Sequence, residues 1–482
     1  MTKRALVWHR NDLRVTDHAP LAGAAQDGSE VIALYVFDDR QFGTTPAGFP
    51  KTGGFRARFL IESVEALRRR YRALGIALVV RRGRPEELLP ALVEELGIGA
   101  VYFHTYPTHD ELAVERAAVA RLEVPCRAVW GHTLHAPEDL PFEVSALPEL
   151  FTQFRKRVEA ASNVREPLAQ PQSLRPVTQE VALGELPSLE DLGVVAPEPE
   201  PRAVLAFAGG EAEGTARLRR YVWEQDLLKT YKETRNGMIG ADYSSKLSPW
   251  LSLGCISPRQ VFLEVKRYER ERVENESTYW LTFELLWRDY FAFIAAKHGT
   301  RLFRRSGLRG IEVPWKQDHA RFDLWCRGET GFPLVDANMR ELRATGFMSN
   351  RGRQNVGSFL TKNLGIDWRW GAEWFESLLV DYDVASNWGN WSYTAGVGND
   401  ARGFRYFNIA KQSRDYDLQG DYVKLWLPEL AAVPADRVHE PSTLTSADQT
   451  RFGVRIGVDY PRPVVDLFES ARVNKELYDA AT

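Results

Sequence analysis

The stretch Phe347–Tyr393 holds five indoles, Trp368, Trp370, Trp374, Trp388 and Trp391, among Arg351, Arg353, Asp381, Asp383 and Asn387. Indoles beside paired charges are what a protein uses to stack, orient and electrostatically tune a flat, redox-active ring. Taken window by window, an aromatic helical core with a solvated charged face accounts for the same residues. Two further stretches carry the same double reading. In Tyr243–Leu251, the hydroxyls of Ser244, Ser245 and Ser248, their backbone N–H groups and Lys246 can meet a diphosphate. A polar turn ahead of a helix is the plainer alternative. In Phe283–Tyr290, Glu284, Trp287 and Arg288 stand at i, i+3 and i+4 and share one helix face. They offer a carboxylate to hydrogen-bond a base and an indole to stack on it, or an i,i+4 ion pair beside a core tryptophan.

Composition narrows the field. With 482 residues, 26% charged and 44% hydrophobic, the chain has room for two or three domains of a soluble globular protein. A net charge of −3 and a pI near 6.4 exclude a generally basic nucleic-acid coat but allow one basic groove. Arg340, Arg343, Arg351 and Arg353 are four of six basic residues between positions 340 and 369, against two acidic ones; by itself the cluster reads as a solvated helix face. Cys126, Cys255 and Cys326 are three and far apart, so a reducing compartment without disulfides is expected, and too few thiolates remain for a four-cysteine cluster. His132 with His135, or His104 with His109, lacks a second zinc-type pair, and no metal site is expected. There is no P-loop, G-x-S-x-G or H-E-x-x-H, no apolar run of membrane length and no signal peptide. A cytoplasmic monomer is expected.

The elements that must position these residues fall into two regimes. Apolar runs at Ala5–Trp8, Val31–Phe37, Ile76–Val80, Ala100–Phe103 and Ala128–Trp130 read as buried strands. Amphipathic helices at Phe55–Leu74, Pro85–Leu96 and Asp110–Leu122 lie between them. This alternation predicts an α/β, doubly wound parallel sheet over residues 1–135, with ligand positions beyond the strand ends at Asn11–Arg14 and His104–Glu111. G-x-G-x-x-G is absent. Residues 136–205 read as a proline-rich, acidic connector with one helix at Leu150–Val158. Residues 206–430 read as an all-α domain, with helices at Ala216–Thr230, Ser257–Tyr268, Tyr279–Ala296, Ala337–Thr345, Arg351–Leu364 and Gly371–Val380. An irregular tail packed on the helical domain is expected over 431–482.

Taken jointly with the segments Val7–Arg14, Gln41–Thr45, Gly48–Gly53, Leu147–Val158, Val335–Arg340 and Tyr460–Asp466, these stretches are highly specific. The chain resembles the photolyase/cryptochrome flavoprotein family over essentially its whole length, most closely the DASH-type branch. The resemblance implies a non-covalent, folded FAD inside the helical domain. Its phosphates and ribose would lie on Tyr231, Ser244, Ser245, Lys246, Leu247 and Ser248, with Glu284, Arg288 and Asn350 lining the site. Arg353, Asp381, Asp383 and Asn387 would surround the isoalloxazine, Arg353 and Asp381 as a buried ion pair. Asn387 matches the position facing flavin N5, where an amide hydrogen-bonds without titrating; plant signalling relatives carry aspartate there. Trp391, Trp368 and Trp315 match the family's electron relay.

The activity so implied is blue-light-driven splitting of cyclobutane pyrimidine dimers by an electron from reduced flavin. Glu284, Asn387 and the three relay indoles would be catalytic, and Trp287, Arg351, Gln354 and Tyr393 would bind DNA and dimer. Duplex-repairing relatives have tryptophan in place of Tyr393 and methionine in place of Gln354. Both differences remove apolar surface for an extruded dimer and imply a preference for single-stranded DNA; RNA is left open. A (6-4) activity is disfavoured, because Asn350 and Gln354 stand where those enzymes have histidines. Glu111 matches the carboxylate that relatives use for a methenyltetrahydrofolate antenna. The alternative is a blue-light photoreceptor without repair, which the short run beyond Asp466 supports little.

Overall fold

The computed structural model describes residues 3–400 and 402–482. Strands β1 (Arg4–His9), β2 (Glu30–Phe37), β3 (Leu78–Arg82), β4 (Ala100–Thr105) and β5 (Cys126–Trp130) form a parallel sheet in the order β3-β2-β1-β4-β5. Alternate residues of each strand enter two separate cores. Ala5, Val7, Ala33 and Tyr35 face helices Ala19–Gln26 and Gly54–Ala73, whereas Leu6, Trp8, Ile32 and Leu34 face Pro85–Glu95 and His109–Val119. Burial on both faces is why β1 to β4 read as continuous apolar runs, whereas β5, at the sheet edge, is only partly covered. Helix Ala19–Gln26 escaped the sequence reading because alanine and glycine supply five of its eight residues and its apolar stripe is short.

The connector is less free than its composition predicts. Strand β6 (Arg175–Pro176) pairs with β2, and Val80 N–H donates to Leu183 O at 2.7 Å, so the segment is laid along the sheet edge. The expected continuous helix at Ala216–Thr230 is instead a helix at Glu211–Arg219, a π-turn over Arg220–Glu224 and a 3-10 turn over Leu228–Thr230; Asp226, at φ 56°, prevents one uninterrupted element. The expected helix Arg351–Leu364 likewise runs as α over Asn350–Ser358 and π over Phe359–Leu364. The tail after Leu430 is not irregular: it contains helices Ser446–Phe452 and Leu467–Ala480. The second is capped by the Asp466 carboxylate and buries Leu467, Ala471, Asn474 and Tyr478. Asn474 donates to the carbonyls of Lys362 and Asn363, so a polar residue carries the seam and the apolar periodicity is faint.

At the strand ends around Asp12 and His104, the polar groups expected to face a ligand bond to one another. Asp12, fully buried, accepts from His9 Nδ1 at 3.2 Å, His18 Nε2 at 2.9 Å, His104 Nδ1 at 2.7 Å and Arg10 N–H at 2.7 Å. The other nitrogen of His18 accepts from Leu21 N–H, and that of His9 meets the Tyr71 hydroxyl. This is a hydrogen-bond hub, and its donors are consumed within it. Beside the hub the two halves dock. Leu13 N–H donates to Leu253 O, Arg14 Nη1 to Gly254 O at 2.9 Å, and Arg259 pairs with the buried Asp17 at 2.7 Å. Among the described residues no helix is long and apolar enough to cross a membrane.

Gly254 sits at φ 61°, and a Cβ there would stand 2.3 Å from Asn11 O across the domain seam. Gly310, at φ 69°, faces open space. Both Gly→Ala changes incur left-handed strain, but Gly254→Ala should be about 2 kcal/mol more destabilising, as overpacking against backbone costs. Parallel thermal melts check this; equal losses would contradict the tight seam.

Candidate functional site

The helical half encloses a cavity of about 530 Å³, within the usual range for ligand sites. Every site residue named from the sequence lines it except Arg351, Trp368, Trp315 and Glu111. The Ser244–Ser248 loop forms one wall, the helix Glu276–His298 presents Glu284, Trp287 and Arg288 on another, and helices Asn350–Ser358 and Val384–Ala395 close it.

Asp381 ties these walls together. Its carboxylate accepts from Arg353 Nη2 at 2.8 and 2.9 Å and from Ser248 Oγ at 2.6 Å. The Ser248 hydroxyl is therefore committed to Asp381. Arg353 also donates through Nε to Met348 O at 3.0 Å, leaving a guanidinium partly open to the cavity. Asp383 caps its helix through Ser386 N–H at 2.8 Å, with Arg288 at 3.7 Å from its other oxygen. Asn387 Nδ2 donates to Ala372 O at 3.0 Å, which locks the amide in place at the cavity wall. The i,i+4 pair between Glu284 and Arg288 does not form. Glu284 pairs with Arg235, and Arg288 donates to the carbonyls of His132 and Leu251.

Trp287 lies flat on Phe151, with ring centroids 3.7 Å apart and 12° between planes, and stands at 83° to Tyr393 at 5.8 Å. The Tyr393 hydroxyl accepts from Arg402 at 2.7 Å. Gln354 accepts from Arg351 Nη1 at 3.0 Å; Arg351 also donates to Asn236, and its guanidinium lies 4.3 Å from the Tyr416 ring. Arg351 thus reaches the cavity only through Gln354. The wider basic cluster is largely neutralised, Arg340 by Glu429 and Arg369 by Asp367.

Trp391 lines the cavity and lies over Gly371, where a Cβ would approach its ring to 2.2 Å; its ring neighbours include Phe375 at 5.0 Å and Trp325 at 6.2 Å. Trp368 is fully buried against Trp388 and donates to Arg305 O at 3.1 Å, while Arg305 Nη2 donates to Trp315 O at 2.9 Å. A bridge between Lys316 and Ile366 brings these last two segments side by side. Glu111 lies apart, in the first turn of helix His109–Val119, with the Thr108 hydroxyl donating to it.

Arg235, Arg402 and Arg405 also line the cavity and were missed from the sequence. Arg235 follows Tyr231 at i+4, a spacing that could have found it; Arg402 and Arg405 sit in irregular chain without periodicity.

Lys246 on the wall and Glu341 behind it are two incompletely partnered buried charges that act on each other. Lys246 Nζ has no hydrogen-bond partner and lies 3.1 Å from the Tyr243 ring centroid; Glu341 accepts from Tyr422 at 2.6 Å through one oxygen while its other oxygen is unpartnered. Burial pushes the Lys246 ammonium down to about 6 and the Glu341 carboxyl up to about 8. A buried lysine without a hydrogen-bond partner, whose charged form an adjacent anion would favour, a serine-rich backbone and flanking aromatic faces fit the diphosphate and ring of FAD.

Comparison with known proteins agrees with this geometry. Residues 5–172 match the family described as DNA photolyase, and residues 280–480 the FAD binding domain of DNA photolyase. The chain is 64% identical to the cryptochrome DASH of Gloeobacter violaceus, over 100% of this chain and 96% of that one. It superposes on the crystal structure of the Synechocystis cryptochrome with a TM-score of 0.96 at 53% identity, covering 99% of each chain. A class III photolyase from Agrobacterium tumefaciens matches at 0.86 and 30%, over 100% of this chain and 98% of that one. The chain belongs to the photolyase/cryptochrome family. Its two halves are the family's parallel α/β domain and its largely helical FAD-binding domain.

The buried pair has a pH signature. Lys246, depressed when folded, adds stability as pH rises from about 6 toward its unfolded value of 10.5; Glu341, raised when folded, loses stability as pH rises from 4.5 through about 8. The two oppose each other between pH 6 and 8. In flavin-free protein the Tm of Glu341→Gln minus that of wild type should increase across this interval. A constant difference would show that the pair is not held neutral.

Proposed function

We propose that the protein repairs cyclobutane pyrimidine dimers under blue light and prefers single-stranded DNA. Bound FAD, fully reduced, supplies the light-driven electron. The observation that carries the substrate preference is the mouth of the cavity, where Trp287 and Tyr393 meet edge to face and Gln354 lines the same cavity. Trp287 offers a rigid stacking face because Phe151 backs it. Tyr393 and Gln354 are each held by an arginine, so much of this wall is polar and hydrogen-bonded. Such a wall gives an extruded dimer less apolar contact, and a single strand, which has little stacking to lose, needs less of it.

Asn387 supports the repair reading, since its anchored amide can hydrogen-bond the ring edge without exchanging a proton at neutral pH. Trp391 at the cavity wall and the Arg305-linked Trp368 and Trp315 support the relay assignment. Glu111, at the start of a helix on the α/β domain, is the proposed contact for a methenyltetrahydrofolate antenna.

The test is blue-light splitting of a thymine dimer by the reduced protein, with single-stranded and duplex oligonucleotides side by side. Faster repair of the single strand is expected. Tyr393→Trp and Gln354→Met together should raise the duplex-to-single-strand rate ratio about three- to tenfold, the worth of one modest apolar contact. Equal rates in wild type would remove the strand preference. Normal flavin photoreduction without any repair would assign the protein to signalling.

A further inference from the structure

The Ser244–Ser248 loop can turn its N–H groups to the cavity only if its carbonyls are satisfied from behind. Arg217, on the helix Glu211–Arg219, stands there, 5% exposed. Its Nε donates to Ser245 O at 2.9 Å, and its Nη2 to Ala241 O at 2.9 Å and Ser244 O at 3.1 Å. Its Nη1 pairs with Asp242 Oδ1 at 3.0 Å, and Gln225 holds the other carboxylate oxygen at 3.1 Å. One planar fork thus gathers three carbonyls and a carboxylate from a single short loop, a task that no single ammonium can perform.

Just beyond, Lys246 takes φ 52°, left-handed and strained for a side-chain-bearing residue, while Leu247 is right-handed at φ −81°, ψ −8°. A left-handed residue followed by a right-handed one turns successive N–H groups to the same side, forming a concavity that binds anions. Lys246 itself lines the same cavity, while its Nζ is buried without a hydrogen-bond partner over the Tyr243 ring, 3.1 Å from the centroid.

We propose that Arg217 is a positioning residue that shapes this loop into the seat of a diphosphate, acting from outside the cavity through the carbonyls it collects. The inference rests on the reading that the loop holds the FAD diphosphate, and it assigns the loop's geometry to a side chain that touches no ligand. Without the fork, the carbonyls of Ala241, Ser244 and Ser245 lose their donor and Lys246 can relax out of the left-handed region, which scatters the N–H groups.

The experiment separates the two halves of the ligand. Full-length protein stripped of flavin is titrated calorimetrically with ADP, which has the diphosphate without the ring, and with riboflavin, which has the ring without the diphosphate. Arg217→Gln should weaken ADP about tenfold or more, as loss of charge-assisted hydrogen bonds does, with riboflavin affinity unchanged. Arg217→Lys, which keeps the charge but not the fork, should also lose ADP affinity and keep riboflavin; it decides the question if the glutamine variant fails to fold. Equal weakening of both ligands, or wild-type ADP affinity in either variant, would overturn the proposal. Wild-type protein that binds riboflavin but not ADP would instead overturn the underlying reading of the loop.

Discussion

Asp289, buried in the middle of the long helix Glu276–His298, accepts the backbone N–H groups of Leu134 and His135 at 2.8 and 2.9 Å. A carboxylate without access to water has to be matched by donors, and these donors lie on the segment that leaves the parallel sheet. The carboxylate therefore fastens the helical half to the sheet at this point. Other buried carboxylates repeat the device. Asp12 gathers the strand ends, Asp336 fastens Thr330, Gly331 and the tail residue Tyr460, and Asp381 joins the serine loop to Arg353. Removing one partner of such a pair leaves the other stranded, which makes these contacts specifying whatever their net contribution to stability.

The cavity depends on the same constraint. Asp381 sets the distance between the loop assigned to the diphosphate and the arginine assigned to the ring, while the helix carrying Asn387, Trp391 and Tyr393 is capped by Asp383 and ends at Gly396, φ 81°. The side chains proposed to meet the ligand are thus held by groups already spent on each other, as a preorganised redox site requires. What is left unpaired is informative. The Lys246 ammonium, one Glu341 oxygen and the Tyr243 hydroxyl are buried without partners, clustered behind the loop that would carry the phosphates.

Strands β1 to β4 were legible because burial on both faces leaves an uninterrupted apolar run, and the Ser257-Pro258 start because a cap and a proline at the first turn are local signals. Most of the residues named from the sequence line the cavity, found through spacing and family resemblance together, although much of the rest of its lining was not named. Contacts between distant residues were not. Nothing in the periodicity says that Asp12 meets His104, that Glu284 prefers Arg235 to the nearer Arg288, or that Arg217 backs a loop more than twenty residues on. The helix Leu467–Ala480 was hidden for a related reason, since its seam is made by Asn474 bonding to carbonyls rather than by an apolar stripe.

The central claim is that this cavity holds FAD folded, with its diphosphate on the Ser244–Ser248 loop and its ring beside Asn387 and the Arg353–Asp381 pair. A crystal structure of the flavin-bound protein tests it most directly. The account predicts phosphate oxygens within hydrogen-bond distance of the backbone N–H groups of Lys246 through Ser248, and the ring edge facing the Asn387 amide. An extended FAD, or a diphosphate lying away from that loop, would contradict it.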